Sequence, residues 1–150
     1  MTIWAVGGVL AILLNAALGL GDRGLDTVRA GLGPAHTAVL LVLLVAFGYT
    51  EGVRGLQKKW VPHVIRRIVR LRGGSHPLHA VLAPLYAMGL VGSPGRGLVR
   101  AWAGVAAIVV AVLVVRAFPE PWRGIVDLAV AAALAWGTGA LLVQAVRAFR

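Results

Sequence analysis

Long apolar stretches separated by short polar segments dominate the pattern of this chain. Because an α-helix rises about 1.5 Å per residue, about 20 apolar residues cross a hydrocarbon core of about 30 Å. The stretches that predict such helices cover residues 2–20, 35–57, 76–91, 98–118 and 123–148. The pattern therefore predicts an all-α integral membrane protein, a bundle of about five transmembrane helices in one polytopic domain over residues 1–150.

The third stretch, residues 76–91, is the shortest and contains Pro84 in its interior. At about 16 residues it is marginal for a full crossing, and a proline removes one hydrogen bond from a helix. Three alternatives are open, namely a kinked helix, a locally thinned bilayer and a re-entrant segment. In the re-entrant case the bundle has four spans.

The polar segment over residues 54–72 is strongly cationic, with seven of the fifteen Lys and Arg residues of the chain. After Pro62, apolar side chains recur on one helical face and basic ones on the other. This predicts an amphipathic interfacial helix over residues 62–72, anchored at headgroup level by Trp60. The candidate lipid- or partner-binding residues are Lys58, Lys59, Trp60, Arg66, Arg67 and Arg70. The alternative is a solvated loop with no dedicated binding role.

Composition supports a membrane location, and charge predicts an orientation. The chain is 59% hydrophobic and 13% charged, with a mean hydropathy of +0.86, unlike an ordinary soluble domain. Its net charge of +10 borders apolar spans, so we expect anionic lipid headgroups as partners and no nucleic acid. Because Lys and Arg accumulate on the cytoplasmic side, the N-terminus is predicted to be cytoplasmic. Five spans place the C-terminus outside, whereas four place it inside.

Ionisable residues near the ends of the predicted helices form a candidate ion or substrate path. With five spans they would lie in one layer near the cytoplasmic boundary, and the members are Glu51, Arg54, His79, Arg123 and Asp127. Asp127 follows Arg123 by four residues, so the two share a helical face and can form an ion pair. Charged groups within a membrane are costly unless paired or hydrated, and a proton- or ion-responsive site is one hypothesis for this layer. Structural ion pairs that hold helices together are the alternative.

Small residues at fourfold spacing predict close helix packing. On the first predicted helix one face carries Asn15 with three small residues, Gly7, Ala11 and Gly19. The amide of Asn15 is either a hydrogen-bonding packing group or an ion or substrate ligand, and both alternatives are open. The last predicted helix carries overlapping small pairs among Ala131, Ala133, Ala135, Gly137 and Gly139. These faces predict a homodimer or a higher homo-oligomer.

The chain lacks the residue patterns of common catalytic and metal sites. It has no cysteine, no glycine-rich phosphate loop and no HExxH motif. His36 and His79 begin helices that run in opposite directions under the five-span prediction, so they cannot ligate one haem iron. We therefore expect no catalytic residue, no metal site and no cofactor, and we do not expect an enzyme.

Two short motifs resemble those of a known group of proteins. The residues concerned are Tyr49, Glu51, Gly52, Arg54 and Gly55, followed by Pro121, Trp122, Arg123, Gly124, Ile125 and Asp127. On these residues the chain resembles small bacterial inner-membrane proteins to which no activity is assigned. The resemblance implies a bacterial cytoplasmic membrane and no particular chemistry.

Two functions from different classes follow from the sequence. The leading hypothesis is a small oligomeric channel or transporter whose path includes the ionisable layer. The alternative is a non-catalytic membrane subunit or assembly protein that binds anionic lipid or an acidic partner through the cationic segment. Ion flux that falls when Glu51 or Asp127 is neutralised would indicate the first, and binding that depends on Arg66, Arg67 and Arg70 would indicate the second.

Overall fold

The computed structural model describes residues 2–70 and 82–149, and within these ranges the chain forms helices joined by turns. The helices are α1 Thr2–Arg29, α2 Pro34–Phe47, a π-helical segment Gly48–Trp60, α3 Val61–Arg70, α4 Ala83–Ala87, α5 Gly95–Arg116 and α6 Trp122–Phe149. Four helical stretches of the described chain are long and apolar enough to cross a membrane, namely Ile3–Arg29, Pro34–Val69, Gly95–Arg116 and Trp122–Ala148. The predicted all-α membrane fold is confirmed. The described chain has four candidate spans, which is the number that the re-entrant alternative predicts.

Two helices extend further than the apolar pattern predicts. α1 continues past residue 20 to Arg29, because no proline interrupts the polar residues that follow its apolar part. The helix predicted over residues 35–57 runs on through the π-helical segment into α3. The described part of the interfacial helix predicted over residues 62–72, which ends at Arg70, is therefore the continuation of the second long helix, and residues 71–72 lie outside the described residues.

The predicted third helix is much shorter than expected in its described part. Residues 76–81 lie outside the described residues, and α4 ends at Ala87, so residues 88–91 form turns where the pattern predicted helix. The reason is the backbone conformation of two glycines, since Gly89 has φ +84° and Gly92 has φ +68°. Residues other than glycine rarely adopt such angles. The chain therefore changes direction before α5 begins.

α1 and α6 pack against each other with unusually close backbones. A Cβ atom on Gly24 would lie 2.5 Å from the Cβ of Leu128, and a Cβ on Gly124 would overlap the side chain of Thr27. Only glycine fits at these two positions, and small residues allow membrane helices to approach in this way. The contacts pair the end of α1 with the start of α6, so the two helices are antiparallel.

The main apolar core lies at the opposite end of this helix pair. It joins the first turns of α1 to α3, α4 and the last turns of α6, through Ala5, Val9, Val61, Val64, Ile68, Ala83, Ala87, Leu141 and Ala145. We call this the cationic end, and we call the end that holds the loops after Arg29 and Arg116 the turn end. The start of α1 and the end of α6 therefore lie at the same end of the bundle, the cationic end. This disagrees with the five-span prediction, which places them on opposite sides, and it agrees with the four-span alternative in the number of candidate spans.

α5 is the least packed of the long helices. None of its residues is buried, whereas 39% of the apolar window of α6 is buried within the chain. Its partly buried residues are Leu98, Ala101, Val105 and Val115. The position of α5 is therefore set mainly by the turns at its two ends.

Candidate functional site

The predicted ion pair between Arg123 and Asp127 is present at the turn end. Asp127 is only 6% exposed, and its Oδ2 lies 4.0 Å from Nε of Arg123, one helical turn away on α6. Arg123 also lines an open cleft of about 580 Å³, whereas Asp127 is not part of its lining. The charged residues that line this cleft are Arg23, Asp26, Glu120 and Arg123.

Other polar contacts at the turn end hold α1 and α2 to the start of α6. The hydroxyl of Thr27 lies 3.2 Å from the carboxylate Oε2 of Glu120, to which it donates a hydrogen bond. The ring of His36 meets the edge of the Trp122 ring with centroids 5.0 Å apart. These contacts involve side chains that are far apart in sequence, and they close the turn end of the bundle.

Glu51 and Arg54 do not lie in one layer with Arg123 and Asp127. Gly52 packs against Trp136, because a Cβ on this glycine would lie 3.4 Å from the Cβ of the tryptophan. Trp136 follows Asp127 by nine residues on α6, a rise of about 13 Å. The predicted single layer is therefore wrong. The physical reason is the four-helix topology, which places the start of α6 at the end opposite to the cationic segment.

Glu51 and Arg54 belong to the π-helical segment, which has thirteen residues and ends where the N–H of Val61 donates to the carbonyl of Leu56. Both side chains are exposed. Within residues 2–70 and 82–149, the carboxylate of Glu51 has no cation within ion-pair distance. The alternative of structural ion pairs is therefore not realised by Glu51 in the described chain.

The cationic segment presents basic side chains on one side and apolar side chains on the other. The predicted apolar face of α3 is confirmed, because Val64, Ile65 and Ile68 are buried in the core. We define the cationic surface as Lys58, Lys59 and Arg66, which are exposed and which no carboxylate approaches within 4.0 Å in the described chain; Arg54 shares these properties but lies further from the cationic end. Trp60 packs against the apolar core and is only partly exposed. Arg70 ends α3, and His79 lies outside the described residues.

Arg67 differs from its basic neighbours because it is partly buried and hydrogen-bonded within the chain. Its Nη1 donates to the carbonyl of Tyr86 at 2.9 Å, and its Nη2 donates to Oγ of Ser93 at 2.6 Å. Its Nε lies 3.2 Å from Nε2 of His63, and its guanidinium lies 5.4 Å from the centre of the Tyr86 ring. We call this set of contacts the Arg67 clamp. The clamp ties α3 to the turn before α5.

Sequence reasoning missed the partners of Arg67, because Tyr86 and Ser93 lie 19 and 26 residues away from it. A single serine in a glycine-rich turn gives no signal of a partner at that distance. The guanidinium of Arg67 is used for internal contacts, and its predicted contact with lipid or a partner stays a prediction.

An open groove runs along α6 beside the π-helical segment, with a volume of about 760 Å³. Its lining is mostly small or apolar, and its polar members are Gln57, Gln144 and Arg147. Oε1 of Gln57 accepts a hydrogen bond from Nε1 of Trp136 at 2.8 Å, and its backbone carbonyl accepts one from Gln144 at 3.3 Å. The sequence signal for this groove is a pair of glutamines, Gln57 at the end of one predicted span and Gln144 near the end of another.

The small-residue faces divide into two groups. Ala131, Ala133 and Gly137 are buried within the chain, whereas Ala135 and Gly139 are exposed. On α1, Asn15 is exposed, and a Cβ on Gly7 or Gly19 would meet no atom within 4 Å. The α1 face that carries Asn15 is therefore not used within the described chain. The opposite face is buried through Ala5, Val9, Leu13 and Ala17.

Comparisons with protein families, with curated proteins and with solved structures found no match. The resemblance to small bacterial inner-membrane proteins therefore stays a prediction. Within the two described ranges, no three His, Asp or Glu side chains lie close enough to share a metal ion.

Proposed function

We propose that this protein is a non-catalytic membrane anchor or subunit whose cationic surface binds anionic lipid headgroups or an acidic partner. The observation that carries the proposal is the position of Lys58, Lys59 and Arg66. In the described chain these side chains are exposed without an acidic partner, while the other face of the same helix is fixed in the core. A rigid helix that presents unpaired cations at one end of a membrane bundle suits an anionic surface.

The distribution of charge supports a cytoplasmic cationic end. Among the described residues, eight Lys and Arg lie at this end and four at the turn end, with Arg54 between them. The eight are Lys58, Lys59, Arg66, Arg67, Arg70, Arg96, Arg100 and Arg147. We propose a bacterial cytoplasmic membrane with both termini in the cytoplasm.

Lipid preference in nanodiscs tests the proposal. Each basic residue near an anionic surface contributes about 1 kcal/mol, so neutralising two of them lowers the affinity by at most roughly 30-fold. We expect Lys58→Gln with Arg66→Gln to reduce the enrichment of phosphatidylglycerol around the protein, measured by native mass spectrometry. The matched control is Arg23→Gln with Arg116→Gln, which removes the same charge from exposed positions at the turn end.

The outcomes separate the two kinds of partner. A selective loss of phosphatidylglycerol in the first variant indicates a lipid partner. Unchanged lipid enrichment with selective loss of a co-purified acidic protein indicates a protein partner. The proposal is contradicted if the two double variants show the same phosphatidylglycerol enrichment and the same co-purified proteins.

A channel or transporter is the second candidate function, and one observation favours it. The carboxylate of Asp127 is buried and paired with Arg123, which lines the cleft at the turn end, and a buried ionisable group in a membrane is a candidate for a proton or ion path. In liposomes, Asp127→Asn is expected to abolish proton or ion flux. Glu51→Gln is the control, because Glu51 lies level with Trp136 and away from the cleft. Absence of flux in the wild-type protein under several ion gradients contradicts this candidate.

We also propose a homodimer through the α1 face that carries Asn15. An exposed amide in an apolar helix gains a hydrogen bond when a second copy faces it, and the flanking glycines permit close approach. The chain has no cysteine, so an introduced Ala11→Cys reports this contact by disulfide cross-linking. Ile12→Cys is the control, because its position is exposed and lies about 100° away around the helix. Equal cross-linking of both variants contradicts the dimer.

A further inference from the structure

We propose that the groove along α6 holds one acyl chain of an anionic phospholipid, with the phosphate of that lipid at Arg147. The inference deepens the proposed function by naming a second lipid contact away from the cationic surface. It rests on the proposed function only in placing the cationic end at the anionic leaflet.

The shape of the groove suits an acyl chain. Its floor is formed by the exposed small side chains Ala132, Ala135 and Gly139, and a Cβ on Gly139 would meet no atom within 4 Å. From Ala132 to Arg147 the axis of α6 rises about 22 Å, which exceeds half of a hydrocarbon core of about 30 Å. The groove therefore extends through the depth of one leaflet.

The walls of the groove are fixed by hydrogen bonds. Gln57 accepts a hydrogen bond from the indole of Trp136 and another from Gln144 at its backbone carbonyl. These bonds join the π-helical segment to α6 along the groove. Most of the other lining residues are small or apolar, so hydrocarbon suits this part of the surface better than water does.

Arg147 supplies the charge at the mouth of the groove. Its side chain is exposed, and no carboxylate of the described chain lies within 4.0 Å of it. It belongs to the last turns of α6 at the cationic end. A guanidinium donates two parallel hydrogen bonds to a phosphate, which gives this position a geometric preference for a phospholipid headgroup.

Charge favours a lipid over a second copy of the chain as the occupant. In a two-fold dimer packed along this groove, the two copies would present the same surface to each other. Two Arg147 side chains would then approach at one end without an acidic partner in the described part of the chain. A phosphate neutralises this charge, whereas a second copy doubles it.

Photo-cross-linking in nanodiscs tests the groove. The probe is a phosphatidylglycerol with a diazirine near the middle of one acyl chain, and the cross-linked peptides are mapped by mass spectrometry. We expect cross-links within residues 132–143, and we expect Gly139→Leu to reduce them at least fivefold by filling the groove. Gly104→Leu is the matched control, because this α5 glycine also meets no atom within 4 Å. Ala135→Phe is a second filling variant in case the first fails to fold.

The headgroup preference is tested by comparing this probe with a phosphatidylcholine that carries the same diazirine-labelled acyl chain. We expect Arg147→Gln to lower the excess of phosphatidylglycerol over phosphatidylcholine cross-links by several-fold while Lys58→Gln with Arg66→Gln leaves it unchanged. Equal cross-linking in the wild type, the filling variants and the control overturns the proposal, as does protein–protein cross-linking at Gly139→Cys. If the filling variants lower the cross-linking in the groove but Lys58→Gln with Arg66→Gln leaves phosphatidylglycerol enrichment unchanged, only the proposed function is contradicted. If the enrichment falls but the cross-linking in the groove does not change, only the groove proposal is contradicted.

Discussion

Replacement of Arg67 by alanine removes the contacts between α3 and the turn before α5. The two hydrogen bonds that cross this contact are lost, to the carbonyl of Tyr86 at 2.9 Å and to Oγ of Ser93 at 2.6 Å, together with the bond from Nε to Nε2 of His63 within α3. Hydrogen bonds that involve a charged group contribute about 1.5–3 kcal/mol each, and a cation over an aromatic ring adds about 0.5–1 kcal/mol. These values set an upper limit of about 7 kcal/mol for the two hydrogen bonds and the ring contact that join α3 to residues 86–93.

The expected loss is smaller than this limit because the acceptors keep other partners. The carbonyl of Tyr86 also accepts the N–H of Gly89 at 3.0 Å, and the hydroxyl of Ser93 donates to the carbonyl of Gly89 at 2.7 Å. The arginine is also only partly buried, so solvent screens its interactions. We therefore expect Arg67→Ala to lower the free energy of unfolding by about 2–3 kcal/mol.

Unfolding in mixed micelles with increasing dodecyl sulfate, followed by tryptophan fluorescence, measures this change. Arg66→Ala is the matched control, because Arg66 is the neighbouring residue, is exposed and has no acidic partner in the described chain. Arg67→Lys is expected to fall between wild type and Arg67→Ala, since an ammonium keeps the charge but lacks the planar fork. Hydrogen exchange supplies a local readout, with faster exchange expected at residues 86–93 in Arg67→Ala only.

Two results would refute this reasoning about the clamp. The first is a loss of stability in Arg67→Ala that lies within about 0.5 kcal/mol of the loss in Arg66→Ala, since surface substitutions usually have effects of that size. The second is unchanged exchange at residues 86–93. Either result would mean that the turn before α5 is held by its own backbone and not by α3.

Three further predictions use the same unfolding measurement. Gly124→Val is expected to cost at least about 2 kcal/mol because its side chain would overlap Thr27 in the closest part of the α1–α6 contact, and a neutral effect would contradict that contact. Gly92→Ala is expected to cost about 1–3 kcal/mol, because φ is +68° and a Cβ would lie 2.5 Å from the ring of Tyr86; unchanged stability would show that the turn relaxes. Asp127→Asn is expected to cost less than about 1 kcal/mol, because the ion pair is 4.0 Å long and its arginine is 31% exposed; a loss above about 3 kcal/mol would indicate a stronger internal role for the carboxylate.

Features that depend on neighbours in sequence were predictable, and features that depend on distant contacts were not. The apolar face of α3 and the pairing of Arg123 with Asp127 follow from helical periodicity alone, and both predictions are confirmed. The four-helix topology depends on the segment around Pro84, where hydropathy left several conformations open. This single segment decided the side on which α6 begins, so the predicted ionisable layer failed with it.

The weak packing of α5 has a consequence for how the protein adapts to its bilayer. α5 has 22 residues, a length of about 33 Å, and its side chains are mostly exposed to the surroundings of the bundle. A change in bilayer thickness is accommodated by a change in helix tilt, and tilting α5 disrupts few internal contacts. The α1–α6 pair cannot tilt in this way without breaking the glycine contacts near Gly24. Thicker and thinner membranes should therefore alter the tilt of α5 while the rest of the bundle keeps its geometry.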